Sequence, residues 1–477
     1  MKFRKQKQGP IFRLVLAGSV AILSIFVYCR TLLPSVAFSD VAELQTVAAT
    51  LGIAHPTGYP LYTLLGKLFT FLPLKSLAWR VNFMSAFFAA LTVLLTFLAI
   101  DFLARDFLAA LIGSLSLAFS PNFWSFALVA EMYSLNVFLA TALTLLLLLW
   151  QKSKKENFLL CFSLIYGLSW GNHTGIIILA PIFALFILLN LPGEREILKK
   201  LGLPLLLFLT GLLVYLYLPL RDVTNPPLNY NNPSTLTNFV KHVTAREFNR
   251  LMFTVPIGEL PGRIRSFFVL AKEQFLVIEW VLAIVGILSL VFAKKIKMLV
   301  LFLGIVAMEA FVWLEYAVPD FHRYITPIFL ITVLFIGIGT AAVRVQLQKV
   351  FGPTLTSVLC FTLLVVPILK LKTNYQEVDQ SKNTAAKIYG EKVMSALPQN
   401  AIVCSWWSYS AVLWYFHYAE GLRGDITIVH GGPSDWIPKI EKNLKKRPIY
   451  VVDYAREIQE KYISRREGDV WKIVSKR

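Results

Sequence analysis

Leu14-Val15-Leu16-Ala17-Gly18-Ser19-Val20-Ala21-Ile22-Leu23-Ser24-Ile25-Phe26-Val27 offers no charged or strongly polar face to the helix it would form, and a helix without such a stripe is suited to lipid, not to a half-buried surface. Leu143 to Trp150, Ile176 to Leu189, Leu205 to Leu218 and Ile325 to Gly337 read the same way. Several such runs make a polytopic membrane protein. The composition agrees: 56% of the 477 residues are hydrophobic and 16% charged, with a mean hydropathy of +0.62, too little charge for an ordinary soluble chain.

A formal charge of +19 could point to nucleic acid, but the basic residues cluster in short turns beside apolar runs, as cytoplasmic loops do. No nucleic-acid partner is expected. The basic start Lys2 to Lys7 precedes the first run with no small-residue cleavage pattern behind it, which reads as an uncleaved start-anchor. Cys29, Cys161, Cys360 and Cys404 form neither a disulfide framework nor a metal motif.

With the N-terminus cytoplasmic, about eleven spans are expected, near 11–29, 81–100, 107–120, 123–150, 157–171, 174–191, 201–218, 275–293, 298–314, 324–342 and 353–369. Their cytoplasmic turns then hold Arg105; Lys152, Lys154 and Lys155; Arg195, Lys199 and Lys200; Lys294, Lys295 and Lys297; and Arg344 and Lys349. Every basic turn falls on one side, a parity that omitting one span would destroy. The polar segments are left on the other face. The expected organisation is therefore an all-α membrane domain over 1–369, with a first outer loop at 30–80, and a small extracytoplasmic α/β domain over 370–477. In that tail Ala401 to Cys404, Ile426 to His430, Ile449 to Asp453 and Val470 to Val474 read as strands.

The outer loop opens on Ser39-Asp40-Val41-Ala42-Glu43. In a helix Asp40 and Glu43 share one face, and Ser39 suits its N-cap. Such a pair can simply favour a helix N-terminus, but ionisable groups at a membrane edge are costly and usually functional. Leu51-Gly52-Ile53-Ala54-His55-Pro56-Thr57-Gly58-Tyr59-Pro60-Leu61 follows, a loop of fixed shape because two prolines and a glycine restrict it. It either bends the chain back to the membrane or positions substrate through His55 and Tyr59. Glu131 and Asn136, then Asn172 and His173, lie at outer ends of spans. Each could merely join helices; together they suggest a wet cavity. Arg221, Arg246 and Arg323 sit at the outer boundary, where arginine either snorkels or grips a phosphate with its planar fork.

The acidic pair followed by the Leu51 to Leu61 string closely resembles the D-x-G-E and L-G-I-A-H-P-P-G-Y-P-L pattern of the transmembrane protein 260-like family, which contains protein O-mannosyltransferases of the C-type fold of lipid-linked glycosyltransferases. The resemblance continues through Glu131 to Asn136, Trp170 to Thr174, Tyr215 to Arg221 and Tyr418 to Val429. Val41-Ala42 and Thr57 depart from the pattern without removing a reactive group. The resemblance implies inverting transfer of a hexose, mannose first, from a polyprenyl-phosphate sugar to a protein or to a glycan or lipid acceptor. Asp40 would then be the base, with Glu43 orienting it, binding acceptor or raising its proton affinity; Arg323 and next Arg221 would be the phosphate ligands, and His55 and Tyr59 would shape the sugar pocket or contact phosphate. No cofactor is implied, and the carboxylate pair alone makes no tight metal site. A transporter or flippase of lipid-linked sugars, or a surface-polysaccharide polymerase or ligase, is the alternative reading.

Overall fold

Large apolar side chains such as Ile11, Leu14, Ile22, Phe26, Leu205 and Leu209 stand exposed on the outer faces of helices whose inner faces are packed. A computed structural model describes residues 9–191, 194–318, 321–452 and 455–477, with the backbone alone for 194–199 and 321. The basic start Lys2 to Lys7, Pro319, Asp320, Asp453 and the side chains of Arg195 and Lys199 lie outside the described residues.

Pro10–Thr31, Leu77–Ala104, Tyr133–Ser153, Lys200–Asp222, Ile296–Leu314 and the kinked run Thr326–Val378 are long and apolar enough to cross a bilayer, and the pair Ile257–Gln274 and Val277–Phe292, bent by 102°, makes a seventh if it is one span. The chain is a multi-span membrane protein. Helix occurs at each of the eleven expected places, but the count of eleven is not supported. Phe107–Ala118, for instance, rises only about 18 Å against roughly 30 Å of hydrocarbon. The span expected over 123–150 is broken: Pro121–Phe126 ends, and Tyr133–Ser153 begins a new helix. The side chain of Asn82 replaces helical bonding in the gap, accepting from Ala130 N at 2.9 Å, and Glu131 is thereby set outside any helix. The runs expected at 324–342 and 353–369 join through Gly352, whose φ of 73° bends the helix ahead of Pro353.

Lipid gives helices little hydrophobic reason to associate, so close backbone approach matters. A Cβ on Gly339 would lie 1.8 Å from the Leu282 carbonyl, and one on Gly286 2.1 Å from that of Phe335. These glycines let Val277–Phe292 lie flush against the helix that begins at Thr326.

The tail folds around a five-stranded sheet: β1 (Ile402–Ser405), β2 (Thr427–His430), β3 (Ile449–Val451), β4 (Tyr462–Glu467) and β5 (Val470–Lys476), in the order β2-β1-β3-β5-β4. β1 is parallel to β2 and β3, whereas β5 runs antiparallel to β3 and β4. Trp436, Ile440 and Ile458 cover one face of it. Helix Trp407–Trp414 leaves the end of β1 and packs against Asp40–Thr50, bringing the tail to the segment that carries the acidic pair.

Candidate active site

Helix Asp40–Thr50 forms where the acidic pair stands, but Ser39 does not cap it. Its φ of 59° turns the hydroxyl away from the helix, and Oγ instead meets Ser408 Oγ at 2.9 Å. Leu51 and Tyr59 also hold positive φ, at 53° and 44°. Three such non-glycine residues within 21 positions are costly and cluster at sites where geometry matters. Gly58, at φ 85°, has no alternative, since a Cβ there would fall 2.7 Å from His242 Nε2. Pro60 then starts helix Pro60–Thr70 with its ring at a position that needs no N–H.

Glu43 is fully buried and holds this loop by two bonds. Its Oε1 accepts from His55 N at 2.7 Å and its Oε2 from His55 Nδ1 at 2.5 Å. The other ring nitrogen lies 3.0 Å from Tyr59 Oη, whose own proton goes to the Pro56 carbonyl, so both ring nitrogens face acceptors, as an imidazolium requires. Burial alone would lower the His55 pKa. The charge and hydrogen bond of Glu43, with Asp40 and Glu131 behind it, outweigh burial and raise it to about 9. Because the folded value exceeds the ordinary 6.5, the His55 proton's contribution to stability is present below about 6.5 and is lost as pH rises through about 9; burial raises Glu43 as well, so strong acid removes its charge from the pair.

Asp40, His55, Tyr59 and His173 line a cavity of about 460 Å³. Its aromatic wall is a stack: Tyr59 lies parallel to His173 at 6.2 Å, His173 faces Tyr324 at 5.6 Å, and Tyr324 lies on Trp313 at 4.3 Å. Burial and the charge on His55 pull His173 down to about 4, leaving it a neutral ring whose Nδ1 accepts from Gly175 N. Across the cavity the tail contributes Trp407, whose indole N–H donates to Asp40 Oδ1 at 2.9 Å.

The remaining expected site residues divide. Asn172 joins helices, donating to the Met132 carbonyl at 3.2 Å, and Asn136 is buried in Tyr133–Ser153; neither lines the cavity. Arg221 does not face it either. Its Nε and Nη2 bond the carbonyls of Leu51 and Thr50 at 2.7 and 3.2 Å, closing the C-terminus of the acidic helix, where a cation is favoured. Arg323 is likewise absent from the cavity wall, although its neighbour Tyr324 is there. Its guanidinium turns to Glu131, Nη1 to Oε1 3.5 Å, a carboxylate whose charge reaches His55 and Tyr59 of the cavity. Arg246 is exposed at the rim, where Ala245, Glu247, Phe248 and Asn249 line the opening. Asp40, Glu43 and His55 bring ligand atoms within 4.8 Å of one another, a group that could take a divalent ion only by displacing the proton that Glu43 holds on His55.

Sequence reading missed Trp407, Tyr230 and Trp313. The one available signal was the Trp406-Trp407 pair directly after a strand, exposed aromatics being costly unless they meet a partner.

With this geometry in place, the match to known proteins is specific. Residues 40–195 match the family model described as Protein O-mannosyl-transferase TMEM260 N-terminal domain. The resemblance read from the acidic pair holds. Protein O-mannosyl-transferase TMEM260 of Mus musculus is 26% identical over 91% of this chain and 66% of its own length, and the Dictyostelium discoideum protein of that name is 26% identical over 91% and 60%. The chain thus spans about two thirds or less of the curated relatives it matches. ArnT from Cupriavidus metallidurans, solved bound to undecaprenyl phosphate, superposes with a TM-score of 0.62 at 12% identity, covering 98% of both chains. The fold is that of the C-type glycosyltransferases.

Proposed function

We propose that this chain is an inverting glycosyltransferase that moves a hexose, mannose first, from a polyprenyl-phosphate carrier to a protein or glycan hydroxyl on the extracytoplasmic face. The observation that carries the reading is a carboxylate, Asp40, held by one oxygen on Trp407 at the wall of an aromatic cavity beside the membrane boundary. The family match over this segment and the ArnT fold support it. Residues 1–369 serve as the transferase domain, and 370–477 as a second domain that completes its site.

An acceptor hydroxyl is a weak nucleophile until a base takes its proton. As its oxygen bonds to the anomeric carbon, the proton passes to the free oxygen of Asp40. The bond from that carbon to phosphate breaks, and its electron pair leaves with the polyprenyl phosphate. No acid is needed on the leaving side, unlike a glycosidase. Charge grows on the phosphate as it departs, so a cation there favours the transition state over the ground state. Arg246, whose neighbours Ala245 and Glu247 line the cavity, would supply it, with the charge of His55 acting through space. The flat faces of Tyr59, His173 and Tyr324 suit the C–H face of a sugar ring.

Trp407→Phe keeps the ring and removes the N–H. Loss of the bond that orients Asp40 lets the base leave its productive position, and a small misplacement of a catalytic group can cost up to about a hundredfold, so kcat should fall roughly tenfold or more. An unchanged kcat would assign Trp407 to packing only. Activity should also decline on an alkaline limb near 9 as His55 loses its proton, read from kcat/KM against pH. The reading itself is tested by giving purified protein labelled polyprenyl-phosphate mannose or labelled nucleotide mannose. Transfer from the lipid donor alone is expected, and transfer from the nucleotide donor alone contradicts it.

A further inference from the structure

The end of the bundle remote from Asp40 has a concavity of its own. Tyr133 packs tilted and edge-on against His173 and Tyr324 of the Asp40 cavity, and its helix runs 21 residues to Ser153, about 30 Å away. Ile296–Leu314 returns the other way, with Trp313 in the cavity wall and Ile296 at the far end. Between these far ends lies a cavity of about 780 Å³ whose walls carry Arg105, Lys152, Lys294, Lys295, Lys297 and Phe102.

Three separate turns converge to supply five cations, and among the described residues no carboxylate lines the space. The two aspartates at this end are already committed: Asp101 to Arg13 at 3.0 Å and Asp106 to Arg344 at 2.7 Å. Lys152 lies within electrostatic reach of both Arg105 and Lys295. It and Arg105 both lie against the Phe102 ring, at 4.6 and 5.9 Å from its centroid, and Lys297 leans on the Leu189 carbonyl. A preference for basic turns at one membrane face explains the charges. It does not explain why they ring a hollow large enough for a whole headgroup, where like charges repel unless an anion enters from outside.

We infer that this cavity binds a phosphate-bearing anion, either the headgroup of an anionic phospholipid or free phosphate. Five donors on flexible stems suit a tetrahedral anion, and a pocket between helix ends at a membrane boundary is where lipid phosphates lie. The site is separate from the proposed sugar-transfer cavity and does not depend on that reading.

The test uses the full chain in detergent, exchanged with phosphatidylglycerol or phosphatidylcholine and weighed by native mass spectrometry, beside Lys152→Gln/Lys295→Gln. Wild type should retain phosphatidylglycerol over phosphatidylcholine, and the variant should retain less by about fivefold for each charge removed. If neither lipid is retained but inorganic phosphate raises the Tm of wild type and not of the variant, the site stands and its source is free phosphate. Should the double variant fail to fold, Lys294→Gln/Lys295→Gln takes its place. Lys442→Gln/Lys445→Gln in the tail removes equal charge elsewhere and should bind as wild type. Equal retention by wild type and cavity variant with no phosphate effect, or equal loss in the tail control, overturns the inference.

Discussion

Asp40→Asn should lower kcat for sugar transfer about a thousandfold, the usual yield of a positioned general base, and leave KM for the lipid donor nearly unchanged. The substitution is close to isosteric. Its Oδ1 can still accept from Trp407, so the contact between the first outer loop and the tail survives and the Tm should hold. What it removes is the capacity to take a proton from the acceptor. Because that proton moves only as the new bond forms, the loss appears in kcat and not in ground-state binding. A variant that kept full activity would remove Asp40 from the chemistry while leaving the fold untouched.

Glu43→Ala is expected to damage the protein itself. It strips the half-buried His55 of its hydrogen-bonded counter-charge and leaves the His55 backbone N–H without its acceptor. Breaking a buried pair from one side typically costs about 3–5 kcal/mol, and the Asp40 charge that remains near His55 offers no replacement for the two hydrogen bonds. A marked fall in Tm and loss of transfer should occur together. Glu43→Gln separates the two effects. Its amide oxygen still accepts from the backbone, but the negative charge that raises His55 to about 9 is gone, so the alkaline limb should move to lower pH in a protein that remains folded. A limb that stays in place in Glu43→Gln would show that His55 is not the group titrating there.

These residues were legible in the sequence because their chemistry is local. Asp40 and Glu43 share a helix turn, and the prolines, glycines and tyrosine of Leu51 to Leu61 dictate a rigid loop wherever it folds. The apolar runs likewise declared the membrane class, since lipid demands helices without a polar face. Local patterning could not show which partners distant groups would choose. Arg221 and Arg323 are equally good phosphate ligands by type and position, yet one closes a helix end and the other pairs with Glu131. Both outcomes depend on where carbonyls and carboxylates from other segments arrive. Ser39 looked like a cap for the same reason, and its hydroxyl went to Ser408 instead.

Trp407 was hidden most completely, lying 367 positions from the carboxylate it touches. Strand β4 was missed because Tyr462-Ile463-Ser464-Arg465-Arg466-Glu467 carries charges on an exposed edge and follows directly on helix Arg456–Lys461, blurring the two-residue alternation. The break between Phe126 and Tyr133 escaped because its residues are apolar enough to continue a helix. Only Asn82, on a different helix, offers the hydrogen bond that makes stopping there affordable.

The stereochemistry of the product tests the central claim most directly. With a donor of known anomeric configuration, nuclear magnetic resonance of the glycosylated acceptor from wild-type protein should show the opposite configuration, because one base and one displacement invert the carbon. Retained configuration would require a covalent sugar intermediate on the protein and would contradict Asp40 as a base acting on the acceptor.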